Sequence, residues 1–485
     1  MFNFLGHNFW TIAIILNYIL VISALTTVIF KRINPTKTLS YIIVLLVFPF
    51  FGLIIYYLFG QEYRKDKLFN RKNVLNNSIV KRVNEEITLD KKKLDDLEHN
   101  YLDEKIKLVK LLQRNEKSPL TLCNKLEILK NGEVKFKRLF EDFRNAKKNI
   151  HVEYYILKDD KIGTEFIDVL CEKAKEGLSV KLTFDDVGSK ISKAARKKLK
   201  AAGVEFYEFM PVIFPKFAGK MNYRNHRKIA VIDGEIAYLG GINVSDTYVN
   251  YPHNKAYWRD THLRLVGESV YTIQLHFLTT WNFVSGKDVK IEKNYFHQCD
   301  LDEGIPVQIA ASGPDTDWAN IMEAIFYAIT TAEDYIYITT PYFIPNDQIL
   351  TALQVASKSG VDVRILIPNE SDSWTAKHAT NSYLEQLFEA NIKIYRYTKG
   401  FIHAKTMVVD GLFSTIGTSN MDYRSFNINF EINALIYHKE TSLLLKQDFM
   451  NDLEYADLMN PEEWQKRSKW LKSQEAYARL WAPLL

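Results

Sequence analysis

Cysteine is scarce. Three residues, Cys123, Cys171 and Cys299, stand in a chain of 485. So few exclude a disulfide scaffold, and their wide spacing gives no zinc pattern. A large excess of one charge is also lacking. Lysine plus arginine number 63 against 58 aspartate plus glutamate, a net +5, which is not the balance of a nucleic-acid coat. A hydrophobic fraction of 47% excludes a disordered chain. A mean hydropathy of −0.18 argues against a polytopic transporter but leaves room for a small anchor. Residues 1–8 hold no lysine or arginine, so the basic start of a signal peptide is missing.

Long apolar runs, by contrast, are present and unevenly placed. Phe9 to Phe30 and Leu39 to Gly60 are each 22 residues without a charge. As helices each measures about 33 Å, enough to cross the hydrocarbon core. Two such spans in succession favour a membrane hairpin over a core helix. Pro49 is tolerable there if neighbours satisfy the freed carbonyl, and Trp10, Tyr41, Tyr56 and Tyr57 stand near span ends, where such rings favour the interface. A hairpin makes the chain multi-pass and puts everything after residue 60 on one side. The connecting loop carries Lys31, Arg32 and Lys37, and the stretch after the second span carries Arg64, Lys65, Lys67, Arg71 and Lys72. By the positive-inside rule this favours a cytoplasmic body.

Residues 61–118 read as a charged helical linker. They hold 15 basic and 11 acidic residues and no proline or glycine. Only residues 61–72 cluster enough to attract anionic lipid, on the order of 1 kcal/mol per well-placed basic residue.

Beyond residue 119 a strand–helix–strand order appears twice, over 119–300 and 301–459. Ile150, Val152, Tyr154 and Ile156 alternate with polar neighbours, which predicts a half-buried strand. A helix over Glu165 to Lys175 and a strand over Val180 to Phe184 follow. The later chain repeats these at offsets of 186 (Ala146 to Ala332), 183 (Gly177 to Gly360) and 188 (Ala201 to Glu389). The fold class is therefore α/β, with two similar halves, each a mainly parallel or mixed sheet flanked by helices.

Both halves carry the pattern H-x-K-x4-D-x6-G-x-x-N. In the first the residues are His226, Lys228, Asp233, Gly240 and Asn243; in the second they are His403, Lys405, Asp410, Gly417 and Asn420. On a strand, His and Lys at i and i+2 share a face. An imidazole beside a fixed cation, with amide donors from Asn243 and Asn420, suits the holding of a phosphoryl group without a metal. Two histidines can divide the work, one attacking phosphorus and the other handling the proton of the alcohol. A carboxylate commonly fixes an imidazole's tautomer, and the candidates are Asp260, 34 residues after His226, and Glu431, 28 residues after His403. Asp233 and Asp410 open tight turns, so a structural role is as well supported as a catalytic one.

The paired motif resembles the phospholipase D superfamily, and within it the bacterial cardiolipin synthases. The resemblance runs through PFFGLIIYYLFG, NYRNHRKIAVIDG, GGINVSD, YWRDTHLRL, TPYFIP, FIHAKTMVVDG and GTSNMDYRSFNINFE, nearly the whole chain. It implies transfer of a phosphatidyl group between two phosphatidylglycerols, giving cardiolipin and glycerol at a bacterial cell membrane. It implies His226 as nucleophile and His403 as general acid and base. Lys228, Lys405, Asn243, Asn420 and Thr418 would hold the phosphate, and Asp260 and Glu431 would orient the histidines. No cofactor, metal or nucleic acid is implied, and homo-oligomerisation is left open. Both motifs are complete, so the residues themselves do not say which histidine attacks.

The stretch Pro211 to Lys228 holds Lys216, Lys220, Arg224, Arg227 and Lys228, no acidic residue, and the apolar Val212, Phe214, Phe217 and Tyr223. It reads as an interfacial lip for an anionic headgroup. The tail over 460–485 reads as an amphipathic helix that caps the body or lies on the interface. Two rival readings remain open: a hydrolase of the same superfamily using water as acceptor, and a non-catalytic membrane scaffold.

Overall fold

The computed structural model describes residues 2–30, 35–59, 74–89, 105–116, 118–211, 223–252, 254, 256–296, 304–314 and 316–484. The cluster at 61–72 and most of the basic lip, including Lys216 and Lys220, lie outside these residues.

The chain begins with α1 (Phe2–Phe30), α2 (Pro35–Val47) and α3 (Pro49–Phe59). Within α1, Phe9–Phe30 is long and apolar enough to cross a membrane. The second run, expected as one span, is two shorter helices. Pro49 has no N–H to continue the ladder and clashes with the preceding turn, so α2 ends at Val47. Val21, Ala24 and Val28 of α1 pack on Leu45, Leu53 and Tyr56. Gly52 lets the second run fold closely on itself, since a Cβ there would meet the Val44 carbonyl at 2.7 Å. Outward, Phe9, Ile15, Ile22 and Phe30 are exposed, a surface that lipid rather than water would cover.

Among the described residues of the charged segment are two helices, α4 (Ser78–Ile87) and α5 (Ile106–Glu116). Leu108, Val109 and Leu112 of α5 are buried in the core of the second half, so this part of the segment is built into the body.

The first half runs β1 (Asn124–Lys130), α6 (Asn131–Asn145), β2 (Asn149–Tyr154), α7 (Lys161–Lys175), β3 (Ser179–Asp185), α8 (Lys193–Ala202), β4 (Glu205–Phe209), β5 (Lys228–Ile232), β6 (Ile236–Gly240), β7 (Tyr257–Arg259), β8 (Thr261–Gly267) and α9 (Val270–Ser285). The second runs β9 (Val307–Ser312), α10 (Asn320–Thr330), β10 (Tyr335–Thr339), β11 (Phe343–Ile344), α11 (Asp347–Lys358), β12 (Asp362–Pro368), α12 (Trp374–Phe388), β13 (Lys393–Tyr397), β14 (Gly400–Ile402), β15 (Thr406–Val409), β16 (Phe413–Gly417), β17 (Met421–Asp422), α13 (Tyr423–Asn427), β18 (Glu431–Ile436), α14 (Lys439–Leu453) and β19 (Ala456–Leu458). The tail adds α15 (Pro461–Gln465) and α16 (Lys469–Arg479).

The large sheets have the orders β1-β8-β6-β5-β2-β3-β4 and β19-β13-β12-β10-β15-β16-β18-β9. Both are mixed. Only β2-β3-β4 and β10-β12-β13 are parallel; the other neighbours are antiparallel. Helical crossovers join the parallel strands, whereas the D-G turns make antiparallel hairpins. The two sheets face one another, with Ile229, Val231, Leu239 and Leu263 packed against Ile309, Val408, Ile416 and Ala434. Strand β2 is buried on both faces instead of half-buried, because α9 covers the face that carries His151 and Glu153. Its polar members acquire partners: His151 meets Gln274, and Glu153 meets Asn225.

Cys123 is disulfide-bonded, while Cys171 is a buried free thiol. In the tail, α16 packs on α12. Ala478 is buried, and Arg479 reaches the Ser382 carbonyl and Gln386.

Candidate active site

The strand pairing between the halves builds the site. Just before His226, Asn225 bridges Phe430, and the His226 N–H donates to the Phe430 carbonyl at 3.0 Å. Just before His403, β14 runs parallel to β7, and the His403 N–H donates to the Arg259 carbonyl at 2.7 Å. Phe430 precedes Glu431 and Arg259 precedes Asp260. Each histidine is thus zipped to the chain that carries the other half's carboxylate. Nδ1 of His226 lies 2.8 Å from Glu431, and Nδ1 of His403 lies 2.7 Å from Asp260. Both candidate carboxylates do meet a histidine, and each serves the histidine of the other half.

With Nδ1–H donated to a carboxylate, each ring keeps its Nε2 lone pair for chemistry. Lys228 and Lys405 each donate to the carbonyl of their own motif histidine at 2.6 Å. The two half-sites act on one another electrostatically: Lys405 bears on His226, and both Lys228 and His226 bear on His403. Two imidazoles, two ammonium groups and two carboxylates thus converge where the halves meet.

Burial dominates the charge states. It lowers His226 to about 4, with Lys228 and Lys405 adding to the effect against Glu431. It lowers His403 well below the usual histidine value, again helped by both lysines. It lowers Lys228 to about 7 and Lys405 to about 8. The carboxylates part company. Burial raises Asp260 to about 7. Burial also pushes Glu431 up, but His226, Lys228 and the Thr418 hydroxyl outweigh it and hold Glu431 below its ordinary value.

Other expected site residues are placed differently. Thr418 donates its hydroxyl to Glu431, so it steadies a carboxylate instead of facing a phosphate. Asn243 accepts from the Ile156 N–H and donates to the Tyr248 hydroxyl at 2.6 Å. Asn420 donates to Asp422 at 3.0 Å. Each side-chain amide retains a second N–H. Asp233 and Asp410 stand apart from the cluster. Asp233 directly follows the strand that Lys228 begins, about 16 Å away at ~3.3 Å per residue. Its carboxylate accepts the N–H groups of Lys147, Lys148 and Asn149, and Asp410 accepts those of Glu333, Asp334 and Tyr335. Both have positive φ, 54° and 52°. They pin a turn to the start of the neighbouring strand, which is structural work.

The second motif carries Gly417-Thr418 where the first carries Gly240-Gly241, and the structure gives the cause. A Cβ on Gly241 would sit 2.1 Å from Asp260 Oδ1. The first half leaves room for its carboxylate where the second places a hydroxyl.

Sequence reasoning missed the aromatic walls. The Tyr155 ring centroid is 4.9 Å from that of His226; Trp258, Tyr248 and Phe401 lie 5.4, 5.7 and 5.9 Å from that of His403. Period-two arithmetic signals two of them, since Phe401 and Trp258 stand two residues before His403 and Asp260.

A family model described as the phospholipase D-like domain of cardiolipin synthase matches residues 139–270 and 325–453. One described as the phospholipase D-nuclease N-terminal region matches residues 19–61. A cardiolipin synthase of Halalkalibacterium halodurans is 41% identical over 93% of this chain and 90% of its own. The chain belongs to the cardiolipin synthase family. Another member, from Listeria monocytogenes, is 39% identical over 98% of both chains. Among solved structures, a phosphatidylserine synthase of Haemophilus influenzae superposes with a TM-score of 0.59 at 16% identity, over 78% of this chain and all of that one; this likeness speaks to the fold. As a cardiolipin synthase family member the chain is an enzyme of the phospholipase D superfamily, and the paired motifs lie within the two matched segments.

Proposed function

We propose that the enzyme joins two phosphatidylglycerols at a bacterial membrane into cardiolipin and glycerol, through a phosphohistidine on His226. The observation that carries the mechanism is the unequal state of the two histidine–carboxylate pairs. Glu431 is held as an anion beside His226, whose neutral ring is oriented with Nε2 free to attack. Asp260 is raised to about 7 while His403 is lowered. That pair together retains a proton near neutrality, which belongs to the pair rather than to one residue. One pair supplies a nucleophile and the other an acid.

In the first step His226 Nε2 bonds to phosphorus, and the bond from phosphorus to the glycerol oxygen breaks. The Asp260–His403 pair delivers its proton to that oxygen through His403, and glycerol leaves. Then the hydroxyl of a second phosphatidylglycerol gives its proton to His403. Its oxygen attacks phosphorus and the His226–phosphorus bond breaks. Lys228 and Lys405, with the spare N–H groups of Asn243 and Asn420, balance the charge that builds on the non-bridging oxygens. The names of the curated relatives support the lipid assignment, and the apolar Phe9–Phe30 helix supports a membrane location.

The test is reconstitution of the full chain with phosphatidylglycerol, followed by lipid analysis. Cardiolipin with stoichiometric glycerol is expected. Phosphatidic acid would mark a hydrolase instead, and an inert protein would mark a scaffold.

A further inference from the structure

Trp318, Trp374 and Trp481 are 55%, 50% and 42% exposed, and Leu480 is 76% exposed. Large apolar rings in water are costly and mark interaction surfaces when they gather. These come from three separate segments, yet all reach the catalytic end of the second half. Trp318 follows Ser312, the end of β9, which pairs in register with Glu431. Trp374 opens α12 just beyond Asp372, whose carboxylate binds the Tyr342 hydroxyl and bears on Lys405. Trp481 precedes the short helix Ala482–Leu484 that packs on α13, directly after Asp422. No step of the mechanism uses any of them.

A single occupant fits this surface. The same chain carries an apolar helix whose outward side chains are exposed along its length, so a bilayer is already within reach. Tryptophan favours the headgroup layer, where its ring is shielded and its N–H stays wet. At the same end Lys399 lies over the rings of Tyr455 and Tyr257, at 4.0 and 4.7 Å, a cation suited to anionic headgroups. The side chains of His226 and His403 are only 12% and 8% exposed. A headgroup must therefore enter a recessed cleft.

We propose that Trp318, Trp374, Leu480 and Trp481 form a rim that seats the mouth of the cleft in the interface of an anionic bilayer. The seat rests on the proposed function only for the identity of the lipid that enters. The test is depth measurement on the full chain. W318C, W374C and W481C are made singly, labelled with a nitroxide and reconstituted in nanodiscs containing phosphatidylglycerol. V355C on α11, where Val355 is 58% exposed away from the catalytic end, is the control, and the unsubstituted chain gives the labelling background. Collision with dissolved oxygen relative to a water-soluble nickel chelate is expected to be at least about threefold higher at the rim than at residue 355. Ratios equal to the control at all three sites would overturn the seat. So would labels shielded from both reagents in a particle of doubled mass, which would assign the rim to a second copy. Both readings stand whether or not cardiolipin is made. In parallel, the W318S/W374S/W481S variant should lose about tenfold in turnover of nanodisc phosphatidylglycerol. Its loss on a dispersed short-chain phosphatidylglycerol should be much smaller; equal losses on both would count against the seat.

Discussion

Asp260 of the first half holds His403 of the second, carboxylate oxygen to Nδ1 at 2.7 Å. The reciprocal bond joins Glu431 to His226 at 2.8 Å. Each half lacks a complete histidine–carboxylate pair of its own and completes that of its neighbour. The consequence is testable by asking which histidine each carboxylate serves.

Replacing the proton-handling histidine and the nucleophile should give different defects. On phosphatidylglycerol, His403→Ala should cost about 10³-fold or more in turnover, and His226→Ala about 10⁴-fold or more. A phosphodiester with a p-nitrophenol leaving group needs no proton. With it His403→Ala should still release one equivalent of nitrophenol and trap phosphohistidine, whereas His226→Ala should release none. Mass spectrometry of the quenched proteins checks this, and a trapped adduct on residue 403 would reverse the roles.

The carboxylate variants should follow the crossed pairing. Asp260→Asn should behave like loss of His403, with turnover on phosphatidylglycerol down about 10²–10⁴-fold and the nitrophenol burst retained. Glu431→Gln should lose the burst as well. Pairing within each half would give the opposite pattern in burst kinetics.

Gly241→Ala should impair the enzyme without any change in a titratable group. The new methyl would start 2.1 Å from Asp260 Oδ1, and the carboxylate must swing away from His403. A displacement of about 1 Å at such a group can cost ~10²-fold. Steady-state turnover should fall by about that factor while circular dichroism stays that of the parent protein.

The pH profile should be set on its alkaline side by the lysines and by the Asp260–His403 pair, whose shared proton is lost from about pH 7 upward. Lys228 near 7 and Lys405 near 8 lose their protons as pH rises, and the phosphate loses its counter-charges. The ratio kcat/KM, which reports the free enzyme, should decline above about pH 7–8. A bound phosphodiester anion favours the protonated lysines, so the decline in kcat should lie at higher pH. His226, lowered to about 4, is neutral across this range and should add no acid limb above pH 5. Coincident alkaline limbs in kcat and kcat/KM would contradict this account.

Asp233→Asn should be a stability variant. Its carboxylate accepts three backbone N–H groups, and hydrogen bonds to a charged acceptor are worth ~1.5–3 kcal/mol when broken. Asparagine tolerates the positive φ and keeps one accepting oxygen, so a loss of about 1–2 kcal/mol is expected. Denaturant unfolding should show it, with kcat within about twofold of the parent.

Much of this protein is legible in residue order because the deciding interactions are short-ranged. Alternation and helical spacing delimit β2, α7 and β3. Uncharged length marks Phe9–Phe30. The H-x-K spacing puts cation and imidazole together within three residues, and its recurrence in an internal repeat reveals a two-part site. The tertiary structure decided what depends on chain segments far apart. His226 and Glu431 are 205 residues apart, and His403 and Asp260 are 143 apart. The pairs cross because the backbone before each histidine bonds to the strand of the opposite half, a choice no local pattern encodes. Packing of α9, more than a hundred residues on, buried β2 on its second face. Tertiary contacts also spent Thr418 on Glu431 and turned the last motif aspartates into anchors for backbone amides. Burial where the halves meet raises both carboxylates, and His226, Lys228 and Thr418 then bring Glu431 back below its ordinary value while Asp260 stays raised, so the tertiary setting gives different charge states to two motifs that share one spacing.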